Sequence, residues 1–494
     1  MKALLIYPKF PDSFWSFKHA LKFVGRKAAL PPLGLLTIAS MLPKTWELRL
    51  VDMNVRKLKE GDLLWADCVL ISAMVVQRQS AKEVIARCNQ FNIPVIAGGP
   101  LFTEESENFP EVNHIIIGEA EEIFPLFIKD FEVGRATHLY KAPGYSNIQT
   151  TPVPRWDIID MNCYASMPVQ FSRGCPFNCD FCDITILFGR RPRVKKSEQM
   201  IAELDALWNA GWRGGIFFVD DNFISNKPYL KSTFLPALIS WQKSHRKEIY
   251  FYTEASINLA DDEELMRQMV AAGFNRVFIG IETPEEDGLL SCNKLQNTRR
   301  SLAESIKKLQ NFGLEVQAGF IVGFDSDTSS IFKRQYEFIQ KVGIPTAMVS
   351  ILQALPGTKL YQRLQAEGRI RGMISGDNVD GTTNIMPKII SSEELSAGYK
   401  WLMRYLYTPK NYYQRIYNFL KEYNPKPIRG VSLNLRHFMA MMRTFLYLGI
   451  FGKERFYYWR FLVWILLHRP RLFSIGVTHA IYGYHFRKVS ESIR

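Results

Sequence analysis

Three of the seven cysteines fall within eight residues: Cys175, Cys179 and Cys182, in the segment Ser172-Arg173-Gly174-Cys175-Pro176-Phe177-Asn178-Cys179-Asp180-Phe181-Cys182. Thiolates at this spacing can wrap three irons of one 4Fe-4S cubane, and the fourth iron is then left without a protein ligand. An open coordination position suits a catalytic centre, whereas structural centres are closed. Gly174 and Pro176 help the chain turn tightly around such a cluster. A structural zinc needs four ligands, usually as paired Cys-x2-Cys, and no nearby His or Cys completes that set. The odd cysteine total fits a reducing compartment and a metal centre better than a disulfide framework. Cys163 and Cys292 read as buried or incidental thiols, with a role for Cys292 near the catalytic face as the alternative.

The elements that must hold these thiols come in two alternating series. In residues 1–134 the apolar runs Ala3–Tyr7, Glu47–Val51, Val69–Ser72, Pro94–Ala97 and His114–Ile117 read as strands. Helical stretches lie between them, at Leu33–Leu42 behind Pro31 and Pro32 and around Lys82–Cys88. Strands alternating with helices predict an α/β domain with a doubly wound, Rossmann-like parallel sheet, its ligand at the carboxyl ends of the strands. Residues 135–160, with Pro143, Pro152, Pro154 and Gly144, read as an irregular linker. The second series spans 161–390, with strands expected at Val169–Ser172, Gly215–Val219, Ile249–Thr253, Arg276–Ile281, Glu315–Val322 and Ala347–Leu352. Six strand–helix units favour a partial (β/α)6 TIM-type barrel, whose chemistry belongs at the strand carboxyl ends. The cysteine segment follows the first of these strands. From 391 to 494 the pattern becomes helical and aromatic.

Charge separates the same regions. The 494 residues carry a net charge of +14. From Trp401 onward there are 16 Lys+Arg against 3 Asp+Glu, so the first 400 residues are nearly neutral at +1. No run approaches the ~18 apolar residues of a membrane-spanning helix. The opening MKALLIYPKF is too short in apolar residues for a signal peptide, and the reading is a cytoplasmic protein. The C-terminal segment Phe456-Tyr457-Tyr458-Trp459-Arg460-Phe461-Leu462-Val463-Trp464 mixes aromatics with Arg, flanked by Lys453, Arg455, Arg469 and Arg471. Such a mixture suits the inner face of a membrane or the admission of a lipophilic substrate. A helical cap packed on the barrel is the equal alternative, and nucleic-acid binding is disfavoured.

Cys-x3-Cys-x-aromatic-Cys behind a first barrel strand, with five strand–helix units after it, resembles the radical S-adenosylmethionine (SAM) superfamily over about residues 165–375. That resemblance implies that Cys175, Cys179 and Cys182 hold a 4Fe-4S cluster and that the open iron binds SAM. Phe181 matches the aromatic position before the third cysteine. The resemblance further implies SAM contacts from Asp220, Asp221 and Asn222 after the second strand and Glu254 after the third. Glu282 after the fourth strand and Gly319 and Gly323 in the fifth are the remaining candidates. The first domain resembles the cobalamin-binding domains that precede many radical SAM barrels, through Pro31-Pro32-Leu33-Gly34-Leu35, Gly98-Gly99-Pro100 with Thr103, and Gly118-Glu119-Ala120-Glu121. Gly98 and Gly99 end a strand and let backbone approach a large planar ligand. The Asp-x-His-x-x-Gly motif of many cobalamin enzymes is absent, and His19 lacks its spacing. A domain without cofactor, or one binding a nucleotide, is the alternative.

The long helical tail resembles the subgroup with a C-terminal domain of uncharacterised function, whose members include hopanoid and bacteriochlorophyll methylases. The expectation is a cobalamin-dependent radical SAM methyltransferase acting on an unactivated carbon of a hydrophobic small molecule, with a reductant such as ferredoxin or flavodoxin. A cobalamin radical SAM oxidative cyclase or ring-rearranging enzyme is the alternative. Methylthiotransfer to tRNA needs three further cysteines in the first domain, which has only Cys68 and Cys88. A non-enzymatic membrane or cofactor-binding scaffold would leave the intact triplet without a purpose.

Overall fold

The computed structural model describes residues 1–245, 249–377, 379–425 and 435–493. Its first sheet is wholly parallel, with strands β1 (Lys2–Tyr7), β2 (Glu47–Asp52), β3 (Cys68–Ser72), β4 (Val95–Gly98), β5 (His114–Ile117) and β6 (Leu139–Lys141). They lie in the order β2-β1-β3-β4-β5-β6. Side chains alternate across a strand, and both faces are covered. Leu4 and Ile6 of β1 pack with Val69, Ile71 and Ala97 on one face. Ala3 and Leu5 pack with Leu35, Phe124 and Phe127 on the other. The stretch read from sequence as linker contributes β6, which pairs parallel with β5. Three residues at a sheet edge, with only Tyr140 buried among them, carry too little pattern to announce a strand.

The second parallel sheet holds β7 (Ser166–Val169), β10 (Gly215–Phe218), β11 (Phe251–Glu254), β12 (Phe274–Glu282), β13 (Glu315–Val322) and β14 (Ala347–Ile351), neighbours in that order. Between β7 and β10 a short antiparallel pair intervenes, β8 (Ser172–Arg173) with β9 (Arg193–Val194). The sequence expectation of a first barrel strand over Val169–Ser172 is corrected here. The ladder ends where the Val219 amide donates to the Val169 carbonyl. The next amides, of Phe171 and Ser172, donate to the Asp220 carboxylate instead. Along β10 and β12, Ile216, Phe218, Val277, Ile279 and Ile281 belong to the core beneath the helices. Their neighbours Phe217, Tyr252 and Phe278 fill the lumen, as layered side chains do in such barrels. Phe217 stacks on Tyr252 with ring centroids 4.7 Å apart.

The C-terminal helices are Ser392–Leu406, Pro409–Glu422, Leu435–Thr444, Arg455–His468 and Phe473–Ser492. Tyr399, Leu402, Phe419, Phe461 and Phe486 are buried in the same continuous core as the barrel. The last helix closes the amino-terminal end of the barrel and also grips the first domain, with Phe486 stacked on Phe14 at 4.1 Å. Among the described residues no helix is long and apolar enough to cross a membrane.

Candidate active site at the mouth of the barrel

The cysteine loop leaves β8 with Gly174 at φ +91°, where an added Cβ would lie 2.8 Å from the Gly189 carbonyl oxygen. Only glycine fits that turn. The loop is stitched at both ends. The Gly174 amide donates to Asp221 (2.9 Å) and the Cys175 amide to the Gly189 carbonyl (3.2 Å). The Asp180 amide donates to the Cys292 carbonyl (3.0 Å), and Asn293 Nδ2 to the Asn178 carbonyl (2.7 Å). Cys292 therefore serves through its backbone, while its buried thiol is pushed up to about 12 by burial.

The three thiols share one electrostatic neighbourhood. Burial raises Cys175 and Cys182, and the charge of Cys179 raises both further, while Lys294 favours their thiolates. Backbone N–H groups of Phe177 and Ile184 donate to Cys175 and Cys182, and Gln296 Nε2 lies 3.7 Å from Cys179 Sγ. Despite burial, Glu282 and Cys179 hold the Lys294 ammonium above its ordinary range. It sits 2.7 Å from Glu282 and 5.9 Å from the Phe181 ring centroid. Sulfur donors, N–H donors and one cation converging on the same loop fit an anionic iron–sulfur cluster. Among the described residues no three His, Cys, Asp or Glu side chains are gathered tightly enough for a single metal ion. The thiolates of a cubane bind separate irons and stand farther apart than the ligands of one ion.

The strand-end carboxylates divide by role. Asp220 is 1% exposed and accepts from the Phe171 amide (3.2 Å) and from Ser172, so it braces the cysteine loop. The sequence placed it against a cofactor, but its carboxylate is taken up within the protein. Burial pushes it up to about 7. Asp221 braces Gly174 and is pushed by burial to about 6. Asn222 accepts from the Ser256 amide at 3.1 Å and fixes the next loop. Glu254 is half-buried in the lumen, and burial followed by Asp221 and Asp220 pushes it up to about 8, opposed by Lys294. Glu282 takes φ +65° at a bulge in β12 and points to Lys294. Gly319 lets Phe278 approach, for its Cβ would meet that ring at 3.0 Å. Gly323, at φ +101°, faces Leu395 of the helical region. Its amide donates to Asp327 (2.8 Å), which fixes the turn after the strand.

The carboxyl ends of β1, β3 and β4 open on a cavity of about 760 Å³, closed on its other side by the barrel. Gly98, Gly99, Thr103 and Glu119 line it from the first domain, and Gln170, Phe217 and Val219 from the second. Gly99 has φ +91°, and a Cβ there would lie 2.6 Å from Ser72 Oγ, so the cradle requires glycine. Such a broad cavity over a glycine-edged sheet fits a large planar cofactor. Glu254, Glu282, Gly319 and Gly323 do not line it. His19 does not line it either, since its ring lies 5.7 Å from His485. Cys68 and Cys88 are buried in the first domain's cores.

Sequence reading missed the contacts that join the two domains at this site. Arg173, two residues before Cys175, pairs with Glu121 (2.7 Å) and Glu119 (3.3 Å), and Arg193 pairs with Glu119 (2.7 Å). Burial pushes the Glu104 and Asp183 carboxyls up, repulsion from Asp183 raises Glu104 further, and the two share a hydrogen bond beside Cys182. The only signal was adjacency to the recognised motifs, because the partners are more than fifty residues apart. Nothing in the sequence neighbours of Lys294 places it at the thiols.

Three family models match the chain: B12 binding domain over residues 24–128, Radical SAM superfamily over 169–339, and Domain of unknown function (DUF4070) over 358–494. An uncharacterized methyltransferase of Synechocystis sp. is 42% identical, the alignment covering 100% of this chain and 93% of the relative. The hopanoid C-2 methylase of Rhodopseudomonas palustris is 33% identical, covering 93% of this chain and 88% of that one. The solved structure of OxsB, a cobalamin-dependent S-adenosylmethionine radical enzyme, shares the fold at TM-score 0.64 and 14% identity, covering 100% of this chain and 79% of that one. The TsrM methyltransferase of Kitasatospora setae does so at TM-score 0.58 and 14% identity, covering 75% and 76%. With two relatives above 30% identity along almost its whole length, this chain belongs to the radical SAM methyltransferase family in which a B12 binding domain precedes the radical SAM domain and a DUF4070 domain follows it.

Proposed function

We propose that the protein is a cobalamin-dependent methyltransferase that adds a methyl group to an unactivated carbon of a hydrophobic small molecule in the cytoplasm. The observation that carries this reading is the juxtaposition of a braced three-cysteine loop with a cavity of about 760 Å³ shared by the two domains. In this reading Cys175, Cys179 and Cys182 hold the cluster, with Phe181 packed beside it. Glu254 meets a cationic part of SAM, and Gly319 acts at one remove by letting the Phe278 ring pack into the lumen. Glu282 acts through Lys294, and Asp220, Asp221 and Asn222 position the loops. Gly98, Gly99 and Thr103 let the cobalamin lie close to the sheet, and Glu119 fixes its domain to the cysteine loop through Arg173 and Arg193. When bound, the cofactors supply radical generation and carriage of the methyl group. The chain's part is to exclude water, hold the substrate in the shared cavity and keep charges in place. Electrons come from a small carrier protein such as ferredoxin or flavodoxin.

Cys179→Ala tests the reading. After anaerobic reconstitution the variant is expected to lose cluster iron and all SAM cleavage while keeping its cobalt content. Full iron and full cleavage would overturn the assignment. In the wild-type protein with its substrate, S-adenosylhomocysteine together with 5′-deoxyadenosine marks methylation, and 5′-deoxyadenosine alone marks a cyclase or rearrangement.

A further inference from the structure

Helix Arg455–His468 is apolar on every side, yet only one side is buried. Tyr458, Phe461, Leu462 and Ile465 enter the core, whereas Phe456, Trp459, Val463, Leu466 and Leu467 are exposed. The exposed set recurs every three to four residues and so forms one face. Phe456 and Leu467 are each 74% exposed. Alongside runs the segment from Leu435–Thr444 through Phe445–Ile450, with Phe438, Met442, Leu446 and Ile450 exposed at fourfold spacing and Phe451 79% exposed beyond it. Trp459 joins the two, its indole N–H donating to the Gly449 carbonyl (3.0 Å) and its ring stacking on Phe445 at 5.5 Å. The two segments together present one apolar surface.

Its charge selects the occupant. Exposed Arg455 and Arg460 sit in or beside the surface and Lys22 lies next to it, while Lys453 pairs with Glu491 at 3.6 Å. The three acidic residues after Trp401 are all engaged by cations: Glu422 by Lys307 (3.2 Å), Glu454 by Arg487 (2.7 Å) and Glu491 by Arg487 (3.2 Å). An apolar face with Trp and Tyr at its edge and an excess of positive charge from Arg455, Arg460 and Lys22 complements anionic lipid headgroups over acyl chains. The surface also stands next to the cavity. Helix Lys18–Val24 packs against Leu435–Thr444, with Arg443 donating to the Lys22 and Phe23 carbonyls (3.1 and 3.0 Å) and Phe23 against Tyr447 at 5.7 Å. The flanks of that helix, exposed Lys18 and Lys27, stand on the cavity rim.

We propose that these two helical segments form a docking surface for an anionic lipid membrane, placed so that a lipophilic substrate passes from the bilayer past helix Lys18–Val24 into the cavity. The substrate passage rests on the methyltransferase reading; the docking itself does not. The test uses the full chain with vesicles of equal parts phosphatidylglycerol and phosphatidylcholine, and with phosphatidylcholine alone. Wild-type protein is expected to co-sediment with the anionic vesicles. Phe451→Ser, Phe456→Ser and Leu467→Ser together should weaken this at least about tenfold with an unchanged melting temperature. Arg455→Gln with Arg460→Gln should weaken it about fivefold per charge and flatten its salt dependence. Absence of wild-type binding, or equal binding by the serine variant, overturns the proposal. So does a wild-type dimer that the serine variant dissociates without any vesicle binding, which would assign the face to a second copy. Failure of the functional reading is separate: it would appear as absent SAM cleavage in wild type and variants alike, whatever their vesicle binding.

Discussion

At the floor of the barrel, Arg276 lies 3.2 Å from one oxygen of Glu315 and His479 Nε2 3.4 Å from the other, all three nearly shielded from water. At the mouth, the charges of Asp221 and Asp220 oppose ionisation of Glu254, and Lys294 is drawn off to Glu282 and the thiols. Burial acts on both ends in the same direction, and the outcome is opposite. The Glu315 carboxyl, which burial alone would raise, is held down at about 2 by Arg276 and His479. The Glu254 carboxyl is left up at about 8. A buried charge is tolerable where a partner compensates it and costly where none does. The floor is thus a structural element of β12 and β13 that the last helix completes with His479. The mouth is electrostatically incomplete, which suits a cationic ligand such as the sulfonium and ammonium groups of SAM.

The comparison breaks most decisively at the floor. Arg276→Met leaves Glu315 buried without its guanidinium and is expected to cost about 3–5 kcal/mol of stability, read by chemical denaturation. SAM cleavage per folded molecule should persist. Unchanged stability would mean that the floor is no better compensated than the mouth.

Glu254→Gln should do the reverse. We expect SAM binding to the reconstituted protein to weaken about ten- to a hundredfold by calorimetry, the cost of a charge-assisted contact. Stability of the cofactor-free protein should hold or rise, because an uncompensated carboxylate is removed. A large loss of stability would place Glu254 with the structural residues.

The smallest effect sharpens the contrast through pH. Glu315 drops from an ordinary 4.5 to about 2, so its stabilisation is complete above 4.5 and lost as pH falls toward 2. Glu254 rises from 4.5 to about 8, so the folded state binds more protons and its contribution declines as pH climbs from 4.5 to 8. In thermal melts of the cofactor-free protein, Glu315→Gln should flatten the acid limb below 4.5 and Glu254→Gln the decline between 4.5 and 8. The same profile from both variants would erase the distinction.

The sequence by itself determined the parts whose physics is local. The spacing of Cys175, Cys179 and Cys182 specifies a three-thiolate loop wherever it lies. Apolar runs such as Ala3–Tyr7 and Glu315–Val322 declare doubly covered strands, because each must be buried on both faces. Gly174 was legible as a turn and Gly99 as a strand end with close backbone approach, because a residue without a Cβ serves both. Tertiary structure decided what depends on partners distant in the chain. Whether Asp220 meets a ligand or a backbone amide turned on where β7 stops, and that in turn rested on a carboxylate some fifty residues downstream of the loop it braces. Arg173 gains meaning from Glu119 and Glu121, and Lys294 from Glu282 and the thiols. The helical tail read equally as cap or docking surface; packing made the last helix a cap and left one side of helix Arg455–His468 bare. Residue type and spacing fix what a group can do. Burial and the charge set beside it by folding decide which of those things it does, since desolvation penalises every buried charge and only a neighbour can offset it.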